Sequence, residues 1–319
     1  MPSAYITAQD RLPRFGVLVV VACMALSATG CASMGSVQSA STDKSQSEVS
    51  KESSAEESRD WLVDSAPEAV YQAAEALAQG DLERALYFYI AALDLGDESA
   101  DTYYKIGLIH KHLGDLVPAV LAFEKAVTKD SEKAEAWEAL GLIMLSNQQK
   151  DRASECLVKA TNLDPDRWRA YNGLGIIADL DGYRHMALFY YNIALDIQSG
   201  SPVVFNNRGY SHYMAGDFEA AQRDFAMALH LDPEFSLGWR NLALVEVRRE
   251  NYEQALRNLR RIMNAAAAHN DIGYISMMAG KHDVAEIFFR ESIRLSPSYD
   301  TMTHENFDLN RELRQFNKN

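Results

Sequence analysis

The chain is short of nearly everything that chemistry would need. It has three cysteines, Cys23, Cys31 and Cys156. The first two fall in or at the edge of an N-terminal apolar stretch, which leaves Cys156 alone, so neither a disulfide framework nor a cysteine-rich metal site can be built. No P-loop, His-Glu-x-x-His, Gly-x-Ser-x-Gly or Cys-x-x-Cys occurs. The eight histidines are scattered, and His110 and His112, two apart on a helical stretch, face different ways. The carboxylates are spread along the chain and form no catalytic pair. Positive charge is also short: 31 Lys and Arg against 45 Asp and Glu give a net charge of -14, which makes nucleic acid a poor partner. These absences exclude the common enzyme classes and call for no cofactor.

What the chain has is repetition. Ala85, Ala119, Ala153, Ala187, Ala221 and Ala255 recur at i, i+34, i+68 and onward without a break. Beside them run Gly107, Gly141, Gly175 and Gly209, then Ala243; a third column is Ala92, Ala126, Ala160, Ala194 and Ala228. Three small-residue columns in one register, at this period, resemble the tetratricopeptide helix-turn-helix repeat. The resemblance implies an all-α solenoid, grown by stacking rather than around a single core. Small residues at these columns let helix A and helix B of each repeat approach closely, where larger side chains would overpack the crossing. Tyr89, Phe123, Leu157, Tyr191 and Phe225 are then knobs filling the space to the next repeat. Gly80, Gly114, Gly182 and Gly216 mark inter-helix turns, and Pro165 and Pro233 stop helix B. Cys156, which precedes Ala160 by one helical turn, reads as a small buried apolar residue.

Seven repeats follow: 66–99, 100–133, 134–167, 168–201, 202–235, one from Ser236, and one over about 266–299. Trp61 and Leu62 are placed at a short leading turn. The sixth repeat breaks the period. Gly273, which opens the next Gly-Tyr pair, stands at i+30 from Ala243, and Ala285 stands at i+30 from Ala255. Either helix B of that repeat is short, or it runs into the next helix A. At the end, Leu309, Leu313 and Phe316 fall at i, i+4 and i+7 with polar Asn310, Arg311, Glu312 and Arg314 between them, the pattern of an amphipathic capping helix.

The N-terminus reads as an address. Arg11 and Arg14 precede an apolar run from Phe15 to about Leu26, too short to span a bilayer comfortably but suited to a signal-peptide core. Ser27-Ala28-Thr29-Gly30-Cys31 then resembles the bacterial lipobox, in which the cysteine is acylated and becomes the first mature residue. Ala28 departs from that pattern, which more often has leucine there. The resemblance implies anchoring through Cys31 without a membrane span, and Ala32 after it implies the periplasmic face of the outer membrane. An ordinary secretory peptide or an uncleaved anchor stays open. From Ala32 to Asp60 about one position in three is serine. Such a segment cannot offset its ordering entropy by burial, and as a flexible coil would span roughly 30 Å. The expected division is therefore 1–30 signal peptide, 31–60 acylated cysteine and tether, 61–299 repeat array, and 300–319 cap and tail.

The candidate binding surface follows from the family resemblance, which implies that helix A positions two, five, nine, twelve and thirteen line a concave face. In repeat four these are Arg169, Asn172, Ile176, Asp179 and Leu180; in repeat five Val203, Asn206, Tyr210, Tyr213 and Met214. In repeat six they are Leu237, Arg240, Leu244, Val247 and Arg248; in repeat seven Ala267, Asn270, Tyr274, Met277 and Met278. Asn172, Asn206 and Asn270 share one position, with Arg240 between. A ladder of amides there suits the backbone of an extended peptide; inter-helix contact is the plainer alternative. The carboxylate clamp of chaperone-binding repeats is not reproduced, since Ile176 and Tyr210 stand where that clamp uses asparagine. A second candidate is the basic run Arg248, Arg249, Arg257, Arg260 and Arg261: residues 236–265 carry six arginines against three glutamates, while residues 66–133 carry 12 acids and six bases. A solvated helix face explains the run equally well.

The last third carries a narrower resemblance. Phe205-Asn-Asn-Arg-Gly-Tyr-Ser-His-Tyr-Met-Ala-Gly-Asp217, Trp239-Arg-Asn-Leu-Ala243, Ala266-Ala-Ala-His-Asn-Asp-Ile-Gly-Tyr274 and Leu295-Ser-Pro-Ser-Tyr299, in that order, are similar to the TadD-type lipoproteins of tight-adherence (Flp) pilus systems. The resemblance implies a non-enzymatic accessory factor for an outer-membrane secretin. A PilF/PilW-type pilotin of type IV pili and an NlpI-like adaptor for peptidoglycan hydrolases share the architecture.

Overall fold

A computed structural model describes residues 61–296 and 298–316. The N-terminal address, Cys31 and the serine-rich tether lie outside the described residues, as do Pro297 and the tail after Phe316. Fifteen α-helices are described: α1 Ala66–Ala78, α2 Leu82–Asp94, α3 Ala100–Leu113, α4 Leu116–Lys129, α5 Ala134–Ser146, α6 Lys150–Leu163, α7 Trp168–Leu180 and α8 Arg184–Ile197, then α9 Pro202–Ala215, α10 Phe218–Leu231, α11 Ser236–Arg248, α12 Tyr252–Leu259, α13 Ala265–Met278, α14 His282–Leu295 and α15 Thr301–Phe316. Odd-numbered helices through α13 are the A helices and even-numbered ones the B helices, in the tetratricopeptide solenoid fold that the columns imply. The chain forms two compact units, one through Ala170 and one from Tyr171, the boundary falling inside α7.

The caps follow from the sequence. Asp81, Ser99, Ser201, Asp217 and Asn264 each accept a backbone N–H at i+3, at the starts of α2, α3, α9, α10 and α13. Between helices A and B the chain takes a left-handed residue at the same place in every repeat. Gly114 (φ 85°) and Gly216 (φ 82°) do this without a Cβ. Gln148 (φ 61°) and Glu250 (φ 62°) do it with one, so turn geometry outlasts glycine at repeats three and six.

All eleven alanines of the first and third columns are 0% exposed, which makes them the seam of the stack. The glycine column is explained by one contact. A Cβ built on Gly107 would lie 2.6 Å from the Phe123 ring; at Gly175 it would lie 2.5 Å from Tyr191, and at Gly273 2.7 Å from Phe289. Each knob thus rests on position i−16, on the A helix of its own repeat, as well as facing the next one: Phe225 also clusters with Val245 of α11. The knobs thus fill the space to the next repeat, as at Phe225, and also pack on the A helix of their own. The same offset links Ala73 to Tyr89 and Ala243 to Leu259, where alanine takes the place of glycine.

The irregular sixth repeat resolves to the first alternative. Helix α12 has eight residues where most B helices have 14. It ends at its knob, Leu259, which is 1% exposed, and Asn264 caps α13 shortly afterwards. The missing residues come from the end of helix B, since the connection to α13, residues 260–264, is no shorter than that between α10 and α11, residues 232–235. In repeat seven Ser292 takes the place of the third-column alanine, and its Oγ donates to the Ala266 carbonyl at 2.7 Å.

The terminal helix is built as a cap with altered details. Phe307, Leu309 and Leu313 of α15 pack against Met277, Ala285 and Phe289. Phe316 is 69% exposed and is not part of that face. Asn310, expected on the polar side, is fully buried: its Nδ2 donates to the His282 carbonyl at 3.0 Å and its Oδ1 lies 2.9 Å from His282 Nδ1. Burying an amide with both ends satisfied locks the register of α15 on α14. At the other end, the Trp61 ring packs on Tyr87 and Phe88 at 5.2 and 6.2 Å.

Candidate functional site

The helix A face of the second unit divides into a buried amide chain and a half-buried tyrosine pair beneath exposed Arg248. The amides come first. Asn172, Asn206 and Asn270 are 6%, 1% and 3% exposed, so their side chains are turned into the stack. Asn207 Nδ2 donates to Asn172 Oδ1 at 2.9 Å, Asn206 Nδ2 approaches Asn207 Oδ1 at 3.5 Å, and Asn241 Nδ2 donates to Asn206 Oδ1 at 2.7 Å. One amide chain therefore runs across α7, α9 and α11. Asn306 of α15 repeats the arrangement, donating to Asn270 Oδ1 at 3.1 Å. The ladder was legible in sequence as a column of asparagines; its second member at the next position (Asn207, Asn241) was not. These pairs spend the amides on neighbouring helices, which is the physical reason the ladder does not face a peptide. Ile176, Val247 and Met277 are likewise buried, at 0%, 0% and 2% exposed. Asp179 accepts from Ser211 Oγ at 2.7 Å and from the Tyr191 hydroxyl at 3.0 Å, and burial holds its carboxyl above the ordinary range despite both bonds.

Beside the amides, α9 and α11 set a half-buried aromatic pair against Ala221, Phe225 and Val245. Tyr210 and Tyr213, one helical turn apart, stack with ring centroids 6.0 Å apart, and Tyr213 also meets Phe218 at 5.7 Å. The exposed Arg248 at the end of α11 donates from Nε to the Tyr213 hydroxyl at 3.0 Å, and its guanidinium lies 5.8 Å from that ring centroid. Met214 beside them is 50% exposed. Rings held in place by a guanidinium, with a thioether at their edge, offer a firm amphipathic surface at small entropic cost. Arg240 is exposed on α11 and acts on the half-buried Asp271 of α13, whose carboxyl burial nonetheless keeps above its usual range. Tyr274 is half-buried against Met277, Ala285 and Phe289, and burial raises its phenol.

The basic run is not one patch. Arg249 reaches back to α10, donating to Glu219 and Gln222, both at 2.5 Å. Arg257 is bonded to Gln254 within its own helix. Arg261 lies over the Trp239 ring at 4.5 Å, and Arg260 is exposed. Of the five, Arg248 alone has a contact that places it in the tyrosine cluster. In the first unit, a cavity of about 560 Å³ lined by Pro67, Val70, Ala74, Tyr89 and Asp101 opens on the helix A face, a feature no sequence column signals. Among the described residues no group of three His, Cys, Asp or Glu could hold a metal, and no helix is long and apolar enough to cross a membrane.

Two tetratricopeptide-repeat family models match the chain, one over residues 72–134 and 206–262 and another over 134–167. No curated protein matches. Among solved structures, the APC/C hetero-tetramer Cut9-Hcn1 contains a chain 20% identical, with a TM-score of 0.58 over 75% of this chain and 48% of that one. A tetratricopeptide repeat protein from Parabacteroides merdae is 14% identical, with a TM-score of 0.57 over 77% and 98%. Pseudomonas aeruginosa pilF is 16% identical, with a TM-score of 0.50 over 76% and 96%. This chain spans about half of the first of these. Tetratricopeptide repeats are thus matched over those stretches, the chain has the tetratricopeptide solenoid fold, and at these identities the structural likeness is one of fold. That fold generally serves as a non-enzymatic scaffold for protein partners.

Proposed function

We propose that this chain is a lipid-anchored scaffold on the periplasmic face of the outer membrane, acylated at Cys31, and that it assists assembly of a secretin in a tight-adherence (Flp) pilus system. The observation that carries the binding part is the half-buried Tyr210–Tyr213 pair held under exposed Arg248, in a repeat face whose asparagines are turned inward. Tyrosine and arginine are the side chains on which protein interfaces most often concentrate their energy. The pilus assignment rests on the ordered sequence blocks of the last three repeats, which the shortened α12 sets in register.

The test is deletion of the gene, scored for secretin multimers in membrane fractions, with complementation by Tyr213→Ala/Arg248→Ala. The proposal expects multimers to be lost on deletion and not restored by the double variant. Full restoration by that variant would remove the cluster from the binding surface. Intact multimers after deletion, with peptidoglycan hydrolases recovered on the purified chain, would favour the NlpI-like adaptor instead. Loss of a type IV rather than an Flp secretin would favour the pilotin. Cys31→Ala is expected to release the chain from membranes; retention would mean an uncleaved anchor.

A further inference from the structure

The first repeat has small side chains where the second has large ones. Positions five and nine of α1 are Val70 and Ala74, and the same positions of α3 are Tyr104 and Leu108. Lys133 stands over the Tyr104 ring at 5.2 Å. At α1 the smaller side chains wall the cavity of about 560 Å³, together with Pro67. That volume is of the size that holds a small molecule. Tyr89, the knob of α2, also lines it and is 3% exposed. Two of the knobs carry a hydroxyl. That of Tyr191 donates to Asp179 at 3.0 Å. In the first repeat Leu77 holds the place of Asp179, and the Tyr89 hydroxyl makes no hydrogen bond among the described residues. A buried hydroxyl without a partner costs stability that a ligand can restore.

The polar groups around the cavity divide into those already bonded and those that are not. Asp97 accepts from the Ser99 N–H at 3.0 Å, from Ser99 Oγ at 3.1 Å and from Thr102 Oγ1. Asp101 is paired with Lys133 Nζ at 2.7 Å. Lys105, half-buried on α3, has neither an ion pair nor a hydrogen bond among the described residues. Burial and the Asp101 carboxylate both push the Tyr89 phenol up, so it keeps its proton and serves as a donor. The two groups without partners are therefore both donors, beside an apolar wall. We infer that this cavity binds a carboxylate borne on a small apolar body, the carboxylate accepting from Tyr89 Oη and Lys105 Nζ while the apolar body lies on Pro67, Val70 and Ala74. A charged acceptor suits this pair of donors better than a neutral one, since such bonds are about twice as strong. The carboxylate arrives either on a free short-chain acid or on the last residue of a peptide. The cavity belongs to the first unit, whereas Tyr213 and Arg248 belong to the second, so it holds whether or not they bind a secretin.

Carbon NMR of carboxyl-labelled hexanoate, with the full chain in lipid nanodiscs and empty nanodiscs as the blank, tests this. The carboxyl signal should broaden beyond the blank and saturate with added hexanoate, and hexylammonium should not displace it. Tyr89→Phe and Lys105→Met should each weaken binding roughly tenfold, the loss of one hydrogen bond to a charged group. Tyr89→Phe isolates the hydroxyl, because Phe123, Phe225 and Phe289 already serve as knobs; its thermal midpoint should equal or exceed that of the parent. Tyr191→Phe, whose hydroxyl is taken up by Asp179, should leave binding unchanged. Displacement by N-acetyl-leucine at a lower concentration than hexanoate assigns the carboxylate to a peptide end, and failure to displace assigns it to a free acid; either upholds the chemistry. No broadening beyond the blank overturns the inference. So does displacement by hexylammonium, or binding that is unchanged in both Tyr89→Phe and Lys105→Met.

Discussion

Replacing Asn206 with alanine separates a clamp from a ligand. In the structure Asn206 is 1% exposed, and its Oδ1 is the acceptor for Asn241 Nδ2 at 2.7 Å. The substitution leaves that donor buried in the stack with no acceptor, at a cost of about 1–3 kcal/mol, and the small cavity adds to it. For a folded array of this size each kcal/mol moves the thermal midpoint by roughly 2–4 °C, so a fall of about 4–8 °C is expected for a loss near 2 kcal/mol. Replacing both partners removes the orphan. Asn206→Ala/Asn241→Ala should therefore cost less than the sum of the single changes, with a coupling of about 1 kcal/mol. Calorimetry or thermal circular dichroism on the four chains gives the cycle. A midpoint unmoved by Asn206→Ala, or strictly additive costs, would refute the clamp and return Asn206 to the candidate ligands.

Three further outcomes follow from the packing. Gly209→Ala places a Cβ 2.8 Å from Phe225 Cε1; overpacking of about 1–3 kcal/mol exceeds the helix-propensity gain of about 1 kcal/mol, so thermal stability falls, and adding Phe225→Leu, in imitation of the Ala243–Leu259 pair, recovers part of it. Gln148→Gly relieves a left-handed residue (φ 61°) and should raise the midpoint by an amount equivalent to several tenths of a kcal/mol, with no change expected if the turn carries no strain. Burial pushes the Cys156 thiol up to about 11, so the reactive thiolate is scarce at neutral pH; mass mapping should show iodoacetamide labelling at Cys156 only after denaturation.

Much of the fold was legible because the period repeats one geometric requirement many times. The knob on each B helix needs a glycine or alanine at i−16, and that fixes the columns whatever the surface sequence does. The shortened α12 was legible as a missing step, but its form depended on where the knob fell: Leu259 had to be kept, so the residues after it were lost. The site was less legible. A column of asparagines reads the same whether the amides face a groove or a neighbouring helix. The partners that decide it, Asn207 and Asn241, sit one position beyond each member rather than in the column itself. Arg248 and Arg249 are adjacent in sequence, yet one joins Tyr213 and the other turns back to Glu219, because successive helical residues point about 100° apart. Leu309 and Leu313 keep their place on the packed face of α15, but Phe307 joins them instead of Phe316, and Asn310 is buried by its bond to His282.

Site-specific photo-crosslinking in the native cell tests the central claim most directly. A benzophenone amino acid placed at Tyr213, beneath exposed Arg248, should yield a covalent adduct with a secretin or another pilus-assembly component. The same group at Arg223, an exposed position of α10 away from the contacts of Tyr213, should yield none. Adducts from Arg223 with none from Tyr213 would contradict the account and move the binding surface off the helix A face.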